Sequence, residues 1–263
     1  MLFEEKHSKQ NYNTTLHYQN MRTILHCQTS AEILLITRGI VHAVCQHEVY
    51  RLSAGKAIWV LPYEVHSYDT IEENDATVYI FSTDTIPDFF QFMDGKRLTQ
   101  PVISFSKNEI DALSEKNTDL FSKKSALYAL ASKAVQGGTT AIEKRTDFDP
   151  MCKMMLYIQS HYRENVTLHD LARHMGYSYN YASHLFRQYF STGFCEMINM
   201  HRLDEAARLL KQSSFSITEI AGQTGFSTIR TFNTAFKKRF LMTPSEYALS
   251  TSSSRSIYSE RQN

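Results

Sequence analysis

The sequence predicts an α+β chain of two domains. The first is a small β barrel with trailing helices. The second is all-α, with two helix-turn-helix units joined by a long helix. Three observations carry this expectation. Short β-rich runs crowd residues 32–82, and helical runs follow only after Ser106. The stretch Ser214 to Tyr247 has the apolar spacing of two short helices about a glycine joint. The same pattern occurs upstream, from Val166 to Met197.

At 263 residues the chain is long enough for two cores. Residues 1–30 are polar and irregular, an arm with early short strands. From Glu32 the runs ILLITRG, IVHAVC and AIWVLP follow, punctuated by Gly39, residues 46–48, Gly55 and Pro62, and Thr77 to Ser82 supplies another strand. Strands at this spacing predict a small antiparallel barrel or sandwich. Lys107 to Val135 is helical, with an interrupted apolar stripe of Ile110, Leu113, Leu120, Ala126, Leu127, Leu130 and Ala134. Gln136 to Phe148 carries a glycine pair and charge, as a linker does. An amphipathic helix from Met151 to His161 opens the second domain, and a polar tail follows Leu249. The expected division is residues 1–135, a linker 136–148, a helical domain 149–250 and a tail 251–263.

In the organising stretch, Ile217, Ile220 and Ala221 recur at helical spacing and Gly225 breaks the pattern. Ser227 is the expected N-cap of a second helix that buries Phe232, Ala235 and Phe236. The other face carries Arg230, Thr231, Asn233, Thr234, Lys237 and Lys238, a polar surface of the kind that enters a DNA major groove. A shift of 49 residues lays Leu171, Ala172, Gly176, Tyr177 and Ser178 on Ile220, Ala221, Gly225, Phe226 and Ser227. After one extra residue the shift is 50, and Phe186, Arg187, Phe190 and Glu196 fall on Phe236, Lys237, Phe240 and Glu246. An ordinary helical hairpin accounts for one copy but not for the repetition. Phe194 to Gln212 spaces Ile198, Leu203, Ala206, Ala207 and Leu210 as one long helix between them. Residues 149–250 carry 11 Lys+Arg against 8 Asp+Glu, whereas the remainder carries 17 against 19. The small positive excess sits on the repeat, as a DNA footprint requires.

On these residues the chain resembles the DNA-binding domain of AraC-type (arabinose-regulator-like) transcription regulators. The carrying motifs are Arg202-Leu203-x-x-Ala206-x-x-Leu209-Leu210, Ser216-Ile217-x-Glu219-Ile220-Ala221, Gly225-Phe226, Phe236-Lys237-Lys238 and Thr243-Pro244-Ser245-Glu246-Tyr247. Where that family ends each recognition helix with glycine, this chain has Ser191 and Leu241. The resemblance implies double-stranded DNA as a partner, two recognition helices about 34 Å apart along the duplex, and RNA polymerase as a further partner. Asn180, Ser183, His184 and Arg187 are expected to face outward on the first helix, and Arg230, Asn233, Thr234 and Lys237 on the second. Asn suits adenine and Arg suits guanine. Arg187, Lys237 and Lys238, late in their helices, suit phosphates.

The N-terminal part resembles the cupin-like sensor domain of the same regulators through Leu34-Leu35-x-x-x-Arg38-Gly39, Leu52-x-x-Gly55-x-x-x-x-x-Leu61-Pro62 and Glu64-Val65-His66-x-Tyr68. The resemblance implies a barrel enclosing a small-molecule effector, with Arg38, Trp59, His66 and Tyr68 as lining residues. It also implies a homodimer through paired helices, with Leu120, Leu127 and Leu130 at the interface. Metal-binding cupins place a close His pair and a Glu on adjacent strands. His42, His47 and His66 do not make that H-x-H…E spacing, so neither a metal nor another cofactor is expected. Cys27, Cys45, Cys152 and Cys195 are scattered, as reduced thiols in a cytoplasmic protein are. No basic-then-apolar segment opens the sequence and no apolar run reaches membrane length. Two other readings remain open: a regulator governed by a protein partner without ligand, and a cupin enzyme with an accessory helical domain. Against the enzyme, no G-x-S-x-G elbow, P-loop or paired-carboxylate motif occurs.

Overall fold

Strand alternation decides the layering of the first half. The strands are β1 (Asn13–Gln19), β2 (Ala31–Arg38), β3 (Ile40–Cys45), β4 (Glu48–Ser53), β5 (Lys56–Val60), β6 (His66–Thr70), β7 (Asp75–Phe81), β8 (Lys96–Leu98), β9 (Val102–Ser104) and β10 (Thr139–Ala141). The computed structural model describes residues 13–249 except 115, 118, 142–149, 191, 213 and 214. A five-stranded antiparallel sheet runs β1-β7-β2-β5-β9 and a three-stranded one β4-β3-β6, and β8 pairs with β10.

Successive side chains on a strand point to opposite faces. On β2 and β5, Leu34, Ile36, Ile58 and Val60 meet Val41, Ala43, Leu52 and Tyr68 in one core, between the sheets. Ala31, Ile33, Leu35, Ala57 and Trp59 belong to a second core on the opposite face. That face is covered by α1 (Pro87–Phe92), α2 (Lys107–Ala112) and α3 (Leu120–Gln136). Central strands buried on both faces read as unbroken apolar runs, which is why ILLI shows no alternation.

Four expectations change here. Helix begins at Pro87, before Ser106, because proline sits in the first turn of α1 where its missing N–H costs nothing. The run 107–135 is two helices. Ser106 and Glu109 form a capping box at the start of α2, and Asp119 accepts from the backbone N–H groups of Phe121 and Ser122 at the start of α3. The apolar stripe of α3 packs inward: Leu127 and Leu130 are fully buried among Ile86, Phe89 and Ala134. They therefore cannot form a dimer surface, and only Leu120 of the three expected interface residues is exposed. The expected linker also changes, since Gln136 ends α3 and Thr139–Ala141 pair with Lys96–Leu98. The rest of it, 142–148, lies outside the described residues, as does the tail.

The second half is helical: α4 (Pro150–His161), α5 (Leu168–His174), α6 (Tyr179–Tyr189), α7 (Phe194–Gln212), α8 (Ile217–Gln223) and α9 (Ile229–Phe240). By backbone contacts the chain divides into Met1–Leu156 and Tyr157–Asn263, a division that falls within α4. The long helix α7 has the limits expected of it. Its Leu203, Ala206 and Ala207 pack with Ile220, Ala221, Phe226, Phe232 and Phe236 of the following units. Arg202 donates to the carbonyls of Tyr162 and Glu164 at 2.6 and 2.8 Å, tying α7 to the end of α4. Arg239 of α9 reaches Asp204 of α7 at 2.6 Å. No helix among the described residues is long and apolar enough to cross a membrane.

Leu241 follows α9 in the left-handed region, φ 59°, with its side chain exposed. Glycine holds that conformation without the Cβ penalty. Leu241→Gly should therefore stabilise the helical unit by about 1 kcal/mol, measured by urea unfolding. Leu130→Ala should cost about 2–5 kcal/mol by opening a cavity under α3, while sedimentation of the folded variant stays unchanged.

Candidate functional site

The two helix-turn-helix units are built by the same local chemistry. Thr167 and Asp170 form a capping box on α5, and Ser216 and Glu219 form one on α8. Each first helix ends in a Schellman turn. Tyr177 N–H donates to Ala172 C=O at 2.9 Å, and Phe226 N–H donates to Ala221 C=O at 3.0 Å. The glycines between are left-handed, Gly176 at φ 70° and Gly225 at φ 89°. At Gly225 a Cβ would lie 2.5 Å from the Arg163 carbonyl oxygen, so both backbone conformation and space require glycine.

The second helices start on Ser178 and Thr228, whose hydroxyls accept from Tyr181 N–H at 3.3 Å and Thr231 N–H at 3.1 Å. The N-cap of α9 is thus Thr228, not Ser227. The extra residue of the second copy lies between Gly225 and the cap, so the caps are offset by 50. Asn180, His184 and Arg187 are exposed on α6, and Arg230, Thr231, Asn233, Thr234, Lys237 and Lys238 on α9. Ser183 is not exposed: it is buried at 7% and its hydroxyl accepts from Arg187 Nη2 at 2.8 Å. It is a support for Arg187 rather than a base reader. The Thr231 hydroxyl donates to the Thr228 carbonyl at 2.8 Å, within the cap. Tyr179 and Tyr181, half exposed in the first turn of α6, extend its outer face. Neither belongs to the motifs that reveal the repeat.

The expected effector residues do not converge. Trp59 lies on the helix-covered face of the sheet, against Phe81 and Phe89, because Ile58 and Val60 take the barrel side. Arg38 is at the far end of β2, half exposed, with Nε 2.7 Å from Asp75 and Nη2 3.4 Å from Glu73. His66 and Tyr68 do come together, inside the barrel and fully buried. They meet two residues that belong to none of the sequence motifs. Tyr68 Oη donates to Glu32 Oε1 at 2.6 Å, and Gln28 Nε2 donates to Glu32 Oε2 at 3.0 Å. His66 Nε2 stands 3.7 Å from Glu32 Oε2.

The fifth member is His26. Its backbone N–H and C=O pair with those of His66 at 2.9 and 2.8 Å in an isolated antiparallel bridge. Such a pair sets both side chains on one face, and the two ring centroids are 4.1 Å apart. Burial would raise the Glu32 carboxyl, but the approach and charge of His66, the charge of His26 and the Tyr68 hydroxyl bring it down to about 2. Burial works against an imidazolium at His66, yet Glu32 and the Glu64 carbonyl outweigh it and raise its pKa. Burial and Glu32 push the Tyr68 phenol well above its ordinary value.

Two family models match the chain. A helix-turn-helix domain covers residues 171–250 and an AraC-like ligand binding domain covers 13–121. The chain carries an AraC-type helix-turn-helix domain and an AraC-like ligand binding domain. Regulatory protein PocR of Salmonella typhimurium is 34% identical over 117 residues, 44% of this chain and 37% of PocR. The HTH-type transcriptional regulator GlxA of Rhizobium meliloti is 46% identical over 74 residues, 28% of this chain and 23% of GlxA. The chain thus spans roughly a quarter to two fifths of these curated relatives. In fold it is similar to ToxT of Vibrio cholerae, with a TM-score of 0.57 at 19% identity over 92% of this chain and 98% of that one. The expected AraC-type, two-domain α+β architecture therefore stands.

Gly225→Ala should destabilise the helical unit by more than the roughly 1 kcal/mol of a strained φ alone, because the Arg163 carbonyl must also move. Gly176→Ala, with open space at its Cβ, should cost only the conformational part. Thermal unfolding of the two variants side by side measures the difference.

Proposed function

We propose that the chain is a sequence-specific DNA-binding transcription regulator whose N-terminal domain answers to a small effector. One observation carries the reading: two capped helix-turn-helix units on one chain each present a second helix with an apolar inner and a polar outer face. In this reading residues 1–135 sense and residues 149–250 bind double-stranded DNA. The chain works in the cytoplasm, beside its operator, with RNA polymerase as the downstream partner and no catalytic step of its own. Asn180, His184, Arg230 and Asn233 read base edges. Arg187, Lys237 and Lys238 meet phosphates. ToxT was solved with an unsaturated fatty acid bound, and by that likeness of fold we infer a small effector in the barrel domain here.

Binding-site selection and salt titration on the full chain test this. Arg230→Ala should relax preference at one base position at a cost of about 1–3 kcal/mol, whereas Lys238→Ala should weaken all sequences alike and lower the salt slope by about 1. Ser183→Ala should leave base preference unchanged. A folded chain that retards no promoter DNA at low salt overturns the reading.

A further inference from the structure

The buried cluster in the barrel holds an imidazole nitrogen and a carboxylate oxygen that face each other beyond hydrogen-bond distance. His66 Nδ1 hydrogen-bonds the Glu64 carbonyl at 2.8 Å, so it carries the proton and a neutral ring turns the Nε2 lone pair outward. Nε2 is fully buried, has no hydrogen-bond partner among the described residues, and lies 3.7 Å from an anionic carboxylate oxygen. That separation leaves room for one ion shared by the two. A proton would draw the pair into hydrogen-bond range. Two ligands each about 2.1 Å from one ion lie about 3.4 Å apart in tetrahedral geometry, near the separation found here.

The third donor is in place. His26 Nδ1 hydrogen-bonds the Ile24 carbonyl at 2.8 Å, and the residue offers one ring nitrogen to the group. One ligand atom from each of His26, Glu32 and His66 lies within 4.8 Å of the others. The surroundings are those of a built site. Both imidazoles are fixed by Nδ1 contacts to backbone carbonyls, and the carboxylate is oriented by Tyr68 and Gln28. Such outer contacts set ligand orientation and tautomer. His26 is only partly buried, which leaves an entry path. The barrel interior beyond the cluster is filled by Leu34, Ile36, Val41, Ile58 and Val78.

We propose that the N-terminal domain binds one divalent first-row transition-metal ion through His26, Glu32 and His66. Two imidazole nitrogens and a carboxylate oxygen suit zinc, ferrous iron, cobalt or nickel, and they leave a coordination position for water or an anionic ligand. The inference rests on the barrel geometry alone and does not depend on the DNA-binding reading.

The test uses the full chain, stripped with a chelator and titrated with Co²⁺, with visible d–d absorption and dialysis stoichiometry as readouts and no DNA present. One equivalent should bind, with a spectrum of nitrogen and oxygen ligation. Glu32→Gln and His66→Gln should abolish it, while His42→Gln and His47→Gln keep it. Should the ligand variants fail to fold, Tyr68→Phe removes only a hydrogen bond to the carboxylate and should weaken Co²⁺ about 10–100-fold. Zn²⁺ should raise the melting temperature of the parent but not of folded Glu32→Gln. A folded parent that binds no Co²⁺ overturns the proposal. So does a thiolate charge-transfer band, or stoichiometric binding that Glu32→Gln or Tyr68→Phe leaves unchanged.

Discussion

A carboxylate buried inside a β barrel must be compensated, and Glu32 imposes that condition on the whole N-terminal unit. Left alone it would cost several kcal/mol. Its partners come from separate parts of the chain: Gln28 before β2, and Tyr68 and His66 on β6 in the opposite sheet. The cluster therefore pins one sheet to the other at one end of the barrel, where the apolar core supplies no directional contact. It also fixes register. A one-residue slip of β2 would turn Glu32 toward the helix-covered core and send Ile33 into the cluster. The polar group specifies an arrangement that ILLI, apolar on both faces, leaves ambiguous.

The helical unit depends on repetition that has drifted. Both copies keep the capping box, the Schellman turn and the left-handed glycine, because backbone geometry allows few substitutes. Their outer faces have parted. On α6 the exposed first turn is aromatic, with Tyr179 and Tyr181, and the exposed cation Arg187 leans on Ser183. On α9 the exposed face carries Arg230, Lys237 and Lys238. At the position of buried Ser183, α9 has exposed Asn233. The positive charge of the two outer faces therefore lies mainly on the second unit.

Much of this was legible because it is periodic or local. Helix limits such as Phe194–Gln212 follow from apolar spacing, and the two joints follow from glycine. What failed was whatever depends on which face of an element a neighbour covers. Leu127 and Leu130 form a stripe in sequence, but a stripe does not say whether its cover is the chain's own barrel or a second chain. Trp59 sits between Ile58 and Val60, and only the sheet order shows that it lies on the helix side. The barrel cluster was half visible. His66 and Tyr68 lie two apart on one strand, a spacing that puts them on one face. His26 lies 40 residues away and is brought beside them by a backbone bridge, which no local motif records. The one available signal was Glu32 itself, a charge set in a run too apolar to expose it.

A ligand in this barrel regulates only if it binds two arrangements of the protein with different affinity. Position therefore matters more than tightness. Saturation at a hundred times Kd stabilises the bound form by about 2.7 kcal/mol, enough to shift a two-state balance roughly a hundredfold. None of that shifts the balance if both states hold the ligand equally. The His26–Glu32–His66 cluster spans both sheets and the segment leading into β2, so its geometry changes whenever those elements move against one another. Bound residues buried in the five-stranded sheet alone, such as Trp59, would report only on the layer that the helices cover. A ligand that draws its donors from several elements has the differential contacts that a switch requires.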